Sequence, residues 1–461
     1  MNIVVVGAGK MGLPLACQFA HRGADVTVCD VKQSIVDTIN RGECPIDEPG
    51  VGELLADAVI RGTLRASTDL TSATRKASVI VVIVPVLLTP CKEADLSAIV
   101  SVSQQIAAGL QPGSMVSYET TLPVGTTRGL AKILESSGLR AGLDFDVVFS
   151  PERVKSRLVL KHLTENSKVV GGLTSSAAER AVGFYTQYLG APTIDVGTLE
   201  AAELVKLAGM VYRDVNIALA NEIARYAEAV GVDLHAILPA INSDGEATML
   251  CPGIGVGGHC APVYPNFVIR DGERWGLEMP LTKVGRQINE SQAAWCIDRV
   301  ERVWMPLRDR SALILGLGFR PQVKVHTFST SFLIGAELRK RGAHVFLNDP
   351  LYTELEIFAQ GFDPLPLTAV NLPPVVILST AHSTYAGLDF HDLARRGVRV
   401  IVDGRALWQA QDVSDAGILY LGVGRPSPHG TAFSIHGQSL PIEDGATETS
   451  EAADGVIAAL S

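Results

Sequence analysis

The sequence predicts an α/β chain in which two Rossmann-like, doubly wound parallel-sheet domains are joined by a central helical domain with one long helix. Three observations predict it. Asn2–Val6 reads as a buried strand and runs into Gly7-Ala8-Gly9-Lys10-Met11-Gly12, then a helix-forming stretch. From about Thr198 to Val230 the pattern is helical without a break. At Ser311 the strand–glycine-turn–helix grammar starts a second time.

The first block, residues 1–197, opens with that strand and turn. The apolar stretch Leu13–Ala20 is helix-compatible, and Val26–Cys29 reads as the next strand, ending at Asp30. Strands at Val79–Val84 and Met115–Tyr118 alternate with helical stretches, the signature of a parallel sheet covered on both faces. The second block, 198–305, holds the long helix, a natural surface for a homodimer or higher homo-oligomer. The third, 306–425, runs from Ser311–Leu315 through Gly316-Leu317-Gly318 to a helix around Phe332–Arg341. Strands follow at His344–Asp349, Val375–Leu378 and Val398–Val402. Two such halves imply two bound nucleotides, or one site and one scaffold. Residues 426–461 turn to Ser, Pro, Gly, Asp, Glu and Thr and read as a disordered tail with a short helix at Ala452–Leu460.

Bulk properties narrow the function. A chain of 461 residues holds two or three domains and large cores. A net charge of −10 argues against nucleic acid and against an anionic membrane as partners. No stretch has the apolar length of a membrane helix, and a strand starting at Asn2 preceded by no basic region reads as no signal peptide. The cysteines at 17, 29, 44, 91, 251, 260 and 296 form no C-x-x-C pair and no metal-ligand spacing, so no metal is expected. Their dispersed, odd number fits free thiols in a reducing cytoplasm.

Two constellations carry the chemistry. Gly7, Gly9 and Gly12 between strand and helix, with an acid about 20 residues on, form the dinucleotide fingerprint. The glycines, with Lys10 and Met11, allow a pyrophosphate to approach the helix N-terminus, and Asp30 reaches a ribose 2′-OH, favouring NAD over NADP. The second is Cys260, which ends Pro252-Gly253-Ile254-Gly255-Val256-Gly257-Gly258-His259-Cys260. A thiol on so bare a backbone reads as a covalent nucleophile facing a bound carbonyl, or as a small apolar cysteine beside a tight turn.

These motifs resemble the UDP-glucose/GDP-mannose dehydrogenase family over roughly residues 1–420. Gly12-Leu13-Pro14-Leu15-Ala16 matches its first helix, Glu119–Thr127 its Thr-rich loop, and Ser150-Pro151-Glu152-Arg153-Val154 its Ser-Pro-Glu motif. Lys206 in Glu203–Ala208 matches its catalytic lysine, and the Cys260 loop its nucleophile loop. Arg213–Ala218 with Asn221-Glu222 is closest to the UDP-N-acetyl-D-mannosamine dehydrogenase branch, although Asn242–Thr248 differs from that branch's Arg-containing stretch. The resemblance implies oxidation at C6 of a nucleotide-linked hexose by NAD through a Cys260 thiohemiacetal and thioester. It implies catalytic roles for Cys260, Lys206, Glu152 and Thr121, cofactor contacts that include Pro85 and Thr121, and substrate contacts from Glu152, Arg153, Lys206, Gly257, Arg320 and Arg405. The bland alternatives are a helix-surface lysine for Lys206, a loop-capping acid for Glu152 and part of an ST-turn for Thr121.

The chain departs from the family where the chemistry is most demanding. Met210 stands where the family has an oxyanion-holding asparagine, and Tyr264 where it has the aspartate that works on the hydrolytic water. Arg320 replaces a substrate-binding lysine, Val325 an aspartate and Thr327 an arginine that reaches the cofactor. Three readings follow: a 6-dehydrogenase with altered substrate or efficiency, a redox relative that stops early, and a non-catalytic nucleotide-sugar-binding relative.

Overall fold

The computed structural model describes residues 1–426, plus the antiparallel pair Ser434–Ile435 and Gln438–Ser439. The rest of the tail expected at 426–461, its terminal helix included, lies outside the described residues.

Eight strands form the first sheet: β1 Asn2–Val6, β2 Asp25–Cys29, β3 Leu64–Ser67, β4 Val79–Val82, β5 Met115–Tyr118, β6 Asp146–Phe149, β7 Lys168–Gly172 and β8 Thr193–Thr198. Their order is β3-β2-β1-β4-β5-β6-β7-β8. The expected parallel, doubly wound sheet is present, with one reversal: β7 runs antiparallel to β6. The chain between them turns back through the short helix Val159–Glu165 instead of crossing the sheet to re-enter in parallel. The β4 strand ends at Val82, short of the expected Val84, although Ile83 still donates to Val6 O at 3.0 Å. The segment beyond it carries Pro85, which has no N–H to continue a ladder.

The second sheet holds β9 Ser311–Leu315, β10 His344–Asn348, β11 Asp363–Pro364, β12 Val375–Leu378, β13 Val400–Asp403 and β14 Leu419–Gly422. It is parallel throughout, in the order β11-β10-β9-β12-β13-β14. Both sheets therefore reverse their winding beside the first strand of each block, between β1 and β4 and between β9 and β12. That is where an open α/β sheet leaves a crevice for ligand. Near-continuous Val, Ile and Leu in β1, β4, β9 and β12 follow from burial on both faces.

Between the sheets runs the helix Leu199–Ala229, started by the Thr198 side chain, which accepts from Ala201 N. It packs against the helix Pro280–Val303. Among the described residues no helix is long and apolar enough to cross a membrane, and no group of three ligating side chains could hold a metal.

Candidate active site

The glycine turn after β1 is a cradle with no room for side chains. Gly7 has φ +105°, and a Cβ there would lie 2.5 Å from Ile83 O; a Cβ on Gly12 would lie 1.9 Å from Gly7 O. Asp30, at the end of β2, accepts from Ala8 N at 3.0 Å and from Lys32 N at 3.0 Å. The acid thus sits against the turn that a dinucleotide would occupy. Lys10 and Met11 are half-buried in that turn, and Pro85 is exposed beyond β4. Burial pushes the Lys10 ammonium down, while Asp47 and Glu48 draw it back up. A bare glycine turn with an acid at its rim fits NAD.

The second glycine turn repeats the device in a closed form. Asp349, just after β10, accepts from Leu317 N at 2.6 Å and Gly318 N at 3.1 Å. It is fully enclosed with His382, whose Nε2 lies 3.2 Å from the same oxygen. The other Asp349 oxygen accepts from Leu351 N at 2.8 Å, and the carboxylate is sealed from solvent, whereas Asp30 is only half-buried; an acid enclosed in this way is out of reach of a ribose.

Lys206 and Cys260 lie near one another over the C-terminal end of the first sheet, close enough for the thiol to act on the ammonium. Lys206, two turns into the long helix, donates to Glu152 O at 2.7 Å. Burial pushes its ammonium down; Cys260 and Glu152 pull it up again, and Arg153 and Lys168 oppose them. Cys260 sits at a turn closed by Val263 N and Tyr264 N donating to its carbonyl, at 3.1 and 2.9 Å. The Tyr264 phenol stands close enough to the Cys260 thiol for each to feel the other's charge. Its polar neighbours are Thr121, which follows β5, and Cys260 itself. Burial pushes the phenol far above neutrality, with Cys260 adding to the effect, so Tyr264 stays protonated and acts only as a neutral donor or acceptor. Met210 lies one turn beyond Lys206 and carries no donor.

A buried chain stands behind these residues. Lys168 of β7 donates to Glu119 at 2.6 Å and lies 3.6 Å from Glu152. Tyr185 donates to the other Glu119 oxygen at 2.7 Å. Burial pushes the Glu119 carboxyl up, against Lys168. Glu152 itself accepts from Arg153 N and Val154 N, at 2.6 and 2.9 Å, so its carboxylate also caps its own turn.

The third block closes over the cysteine loop. A Cβ on Gly258, at φ +95°, would run into the Phe319 ring at 2.8 Å, and one on Gly257 would lie 2.9 Å from Phe328 O. Arg320, next to Phe319, is half-buried and forms no ion pair among the described residues. Arg405 is held differently: it donates to Ser379 O at 2.7 Å and to Gly255 O at 3.2 Å, tying the rim of the second sheet to the loop. Burial pushes it down to about 10, so it remains a cation at neutral pH. Arg153 points away, donating to Ser167 O. Val325 and Thr327 are half-buried in the loop after Arg320.

Comparison with known proteins matches three family domains along the chain. Residues 1–189 match the NAD binding domain of the UDP-glucose/GDP-mannose dehydrogenase family, 200–291 its central domain and 313–410 its UDP binding domain. The NDP-N-acetyl-D-galactosaminuronic acid dehydrogenase of Ralstonia nicotianae is 31% identical over 425 residues, spanning 90% of this chain and 97% of its own. The UDP-N-acetyl-D-mannosamine dehydrogenase of Salmonella typhi is 32% identical over 429 residues, 88% of this chain and 99% of its own. Among solved structures, the UDP-D-ManNAc dehydrogenase of Pyrococcus horikoshii superimposes with a TM-score of 0.83 at 28% identity, over 92% of this chain and 99% of that one. The matched domains account for the NAD cradle, the cysteine loop and the closing third block in turn, and the chain belongs to the UDP-glucose/GDP-mannose dehydrogenase family.

Proposed function

We propose that this chain is an NAD-dependent nucleotide-sugar 6-dehydrogenase acting on a UDP-hexose, with a UDP-N-acetylhexosamine the preferred class. The observation that carries the reading is the bond from Lys206 to Glu152 O beside a cysteine loop that packs on the nucleotide-binding block, next to a dinucleotide-binding block. NAD, when bound on Gly7–Gly12 and Asp30, supplies the acceptor for hydride. The chain's own residues do the rest. Cys260 sulfur adds to the C6 aldehyde carbon, and the carbonyl electron pair moves to O6. Lys206, half-buried beside the thiol, donates to that oxygen and hands over or takes its proton. After the second hydride has left C6, water displaces the sulfur and frees the acid. Arg320, with no carboxylate partner, faces the diphosphate, and Arg405 orders the loop beside it.

The last step is the weak one. Tyr264 lacks a carboxylate's basicity and Met210 cannot donate to an oxyanion, and these two side chains favour a second reading in which the reaction stalls before hydrolysis. We place the enzyme in the cytoplasm as a homodimer or larger homo-oligomer. The support is seven free cysteines and a stripe at seven-residue spacing, Tyr212, Leu219 and Tyr226, left exposed along the long helix. Incubation with NAD and a panel of UDP-hexoses and UDP-N-acetylhexosamines, followed at the NADH absorbance, tests the assignment. NADH is expected with at least one UDP-sugar and not with free hexoses; no NADH and no bound nucleotide sugar across the panel would refute it.

A further inference from the structure

Both ends of the cysteine loop lead to one buried polar cluster between the two long helices. At the start of the loop, Gly253 N donates to Asn221 Oδ1 at 2.9 Å. Asn221 Nδ2 donates to Asn289 Oδ1 at 3.1 Å, and Asn289 Nδ2 donates to the Asp214 carbonyl and carboxylate at 2.8 and 2.9 Å. At the other end, Arg286 Nη1 donates to Asp214 Oδ1 at 2.7 Å and to Ala261 O, next to Cys260, at 3.3 Å. All four side chains are buried.

The pairing inside the cluster is not the strongest available. A guanidinium and a carboxylate gain most from two parallel bonds. Here one bond joins them, and Asp214 Oδ2 and Arg286 Nε are both buried with no partner. Unpartnered buried polar atoms are uncommon and costly. The guanidinium is turned out of the fork so that Nη1 reaches Ala261 O while Nη2 lies 3.5 Å from Glu290. A cluster serving only to join two helices has no reason to give up the second bond of the fork and turn its guanidinium toward a loop carbonyl.

We propose that Asp214, Asn221, Arg286 and Asn289 are positioning residues for Cys260: a clamp that fixes the loop at Gly253 and Ala261 and thereby sets where the thiol stands. None of the four touches substrate. The proposal rests on the reading of Cys260 as nucleophile, and the test separates the two. In full-length protein, hydrogen exchange over 253–261 reports the clamp. Iodoacetamide labelling of Cys260 relative to exposed Cys91 in the same molecule reports the thiol. Arg286→Lys keeps a cation against Asp214 but shortens its reach, and Asn221→Ala removes the acceptor at the far end. Both variants are expected to raise loop exchange by about tenfold and to change the Cys260-to-Cys91 labelling ratio by about fivefold. Cys17, Cys29 and Cys296, all buried, should stay unlabelled. Unchanged loop exchange in both variants would overturn the clamp, as would labelling of the buried cysteines in step with Cys260, which marks loss of the fold. If Cys260 in the unmodified protein labels no faster than Cys91, the nucleophile reading fails, and loop exchange alone still decides the clamp.

Discussion

Asp30 holds the glycine turn through Ala8 N, and we propose that the same carboxylate takes the ribose of NAD. Asp30→Ala is expected to weaken NAD by about 10- to 100-fold, the range for a hydrogen bond to a charged group of about 1.5–3 kcal/mol. NADP should lose far less. Parallel titrations of both cofactors check this, and equal losses would remove Asp30 from the ribose site. Asp30, Lys206 and Cys260 were legible because each sits inside a local pattern of strand, glycine and helix. Tyr264 was legible only as a departure; its closeness to Thr121 depends on a contact between distant segments that no spacing reveals. The same holds for Lys168 of β7 and Glu119, which directly follows β5. A lysine in a strand otherwise gives no sign of a buried partner.

At the scale of elements, Glu203 links the Thr-rich loop to the long helix that carries Lys206. It accepts from Gly125 N at 2.6 Å, Thr127 N at 2.8 Å and Thr127 Oγ1 at 2.6 Å, satisfying orphan donors where the helix Thr126–Leu134 begins. Burial nevertheless pushes its carboxyl up to about 7 from an ordinary 4.5. The folded state therefore keeps a proton that the unfolded chain gives up. That contribution to stability is full below pH 4.5 and is lost as pH rises through about 7. Thermal unfolding across this window should show Tm falling with pH, and Glu203→Gln should flatten the fall in part. Glu228, which burial also pushes to about 7, keeps its share. An identical slope in the variant would mean that the three donors outweigh burial. Glu203 escaped the sequence because a glutamate one turn before a lysine reads as a solvated helical neighbour. The strands were easier: β1, β5, β9 and β12 fall where their apolar runs lie. The reversed β7 was not, because strand direction is set by how the connection folds back, not by composition.

The whole molecule places one thiol where the NAD-binding sheet, the long helix and the third block converge. That convergence was half legible. Two glycine turns announced two sheets, but nothing local showed that Asp349 is sealed by His382 while Asp30 is open, or that Arg405 is tied to the cysteine loop. On the proposed function, Cys260 becomes acylated by the substrate, and Tyr264 and Met210 slow its release. Intact-mass spectrometry after mixing with NAD and the preferred UDP-sugar measures this directly, with NADH counted per acid formed. The expected result is an acyl adduct on Cys260 that is absent from Cys260→Ser. In Tyr264→Asp with Met210→Asn, acid formation should rise by on the order of 10²-fold, the effect of one restored oxyanion donor, at two NADH per acid. Rapid acid formation by the unmodified protein with no adduct on Cys260, or an adduct that survives in Cys260→Ser, would contradict the account.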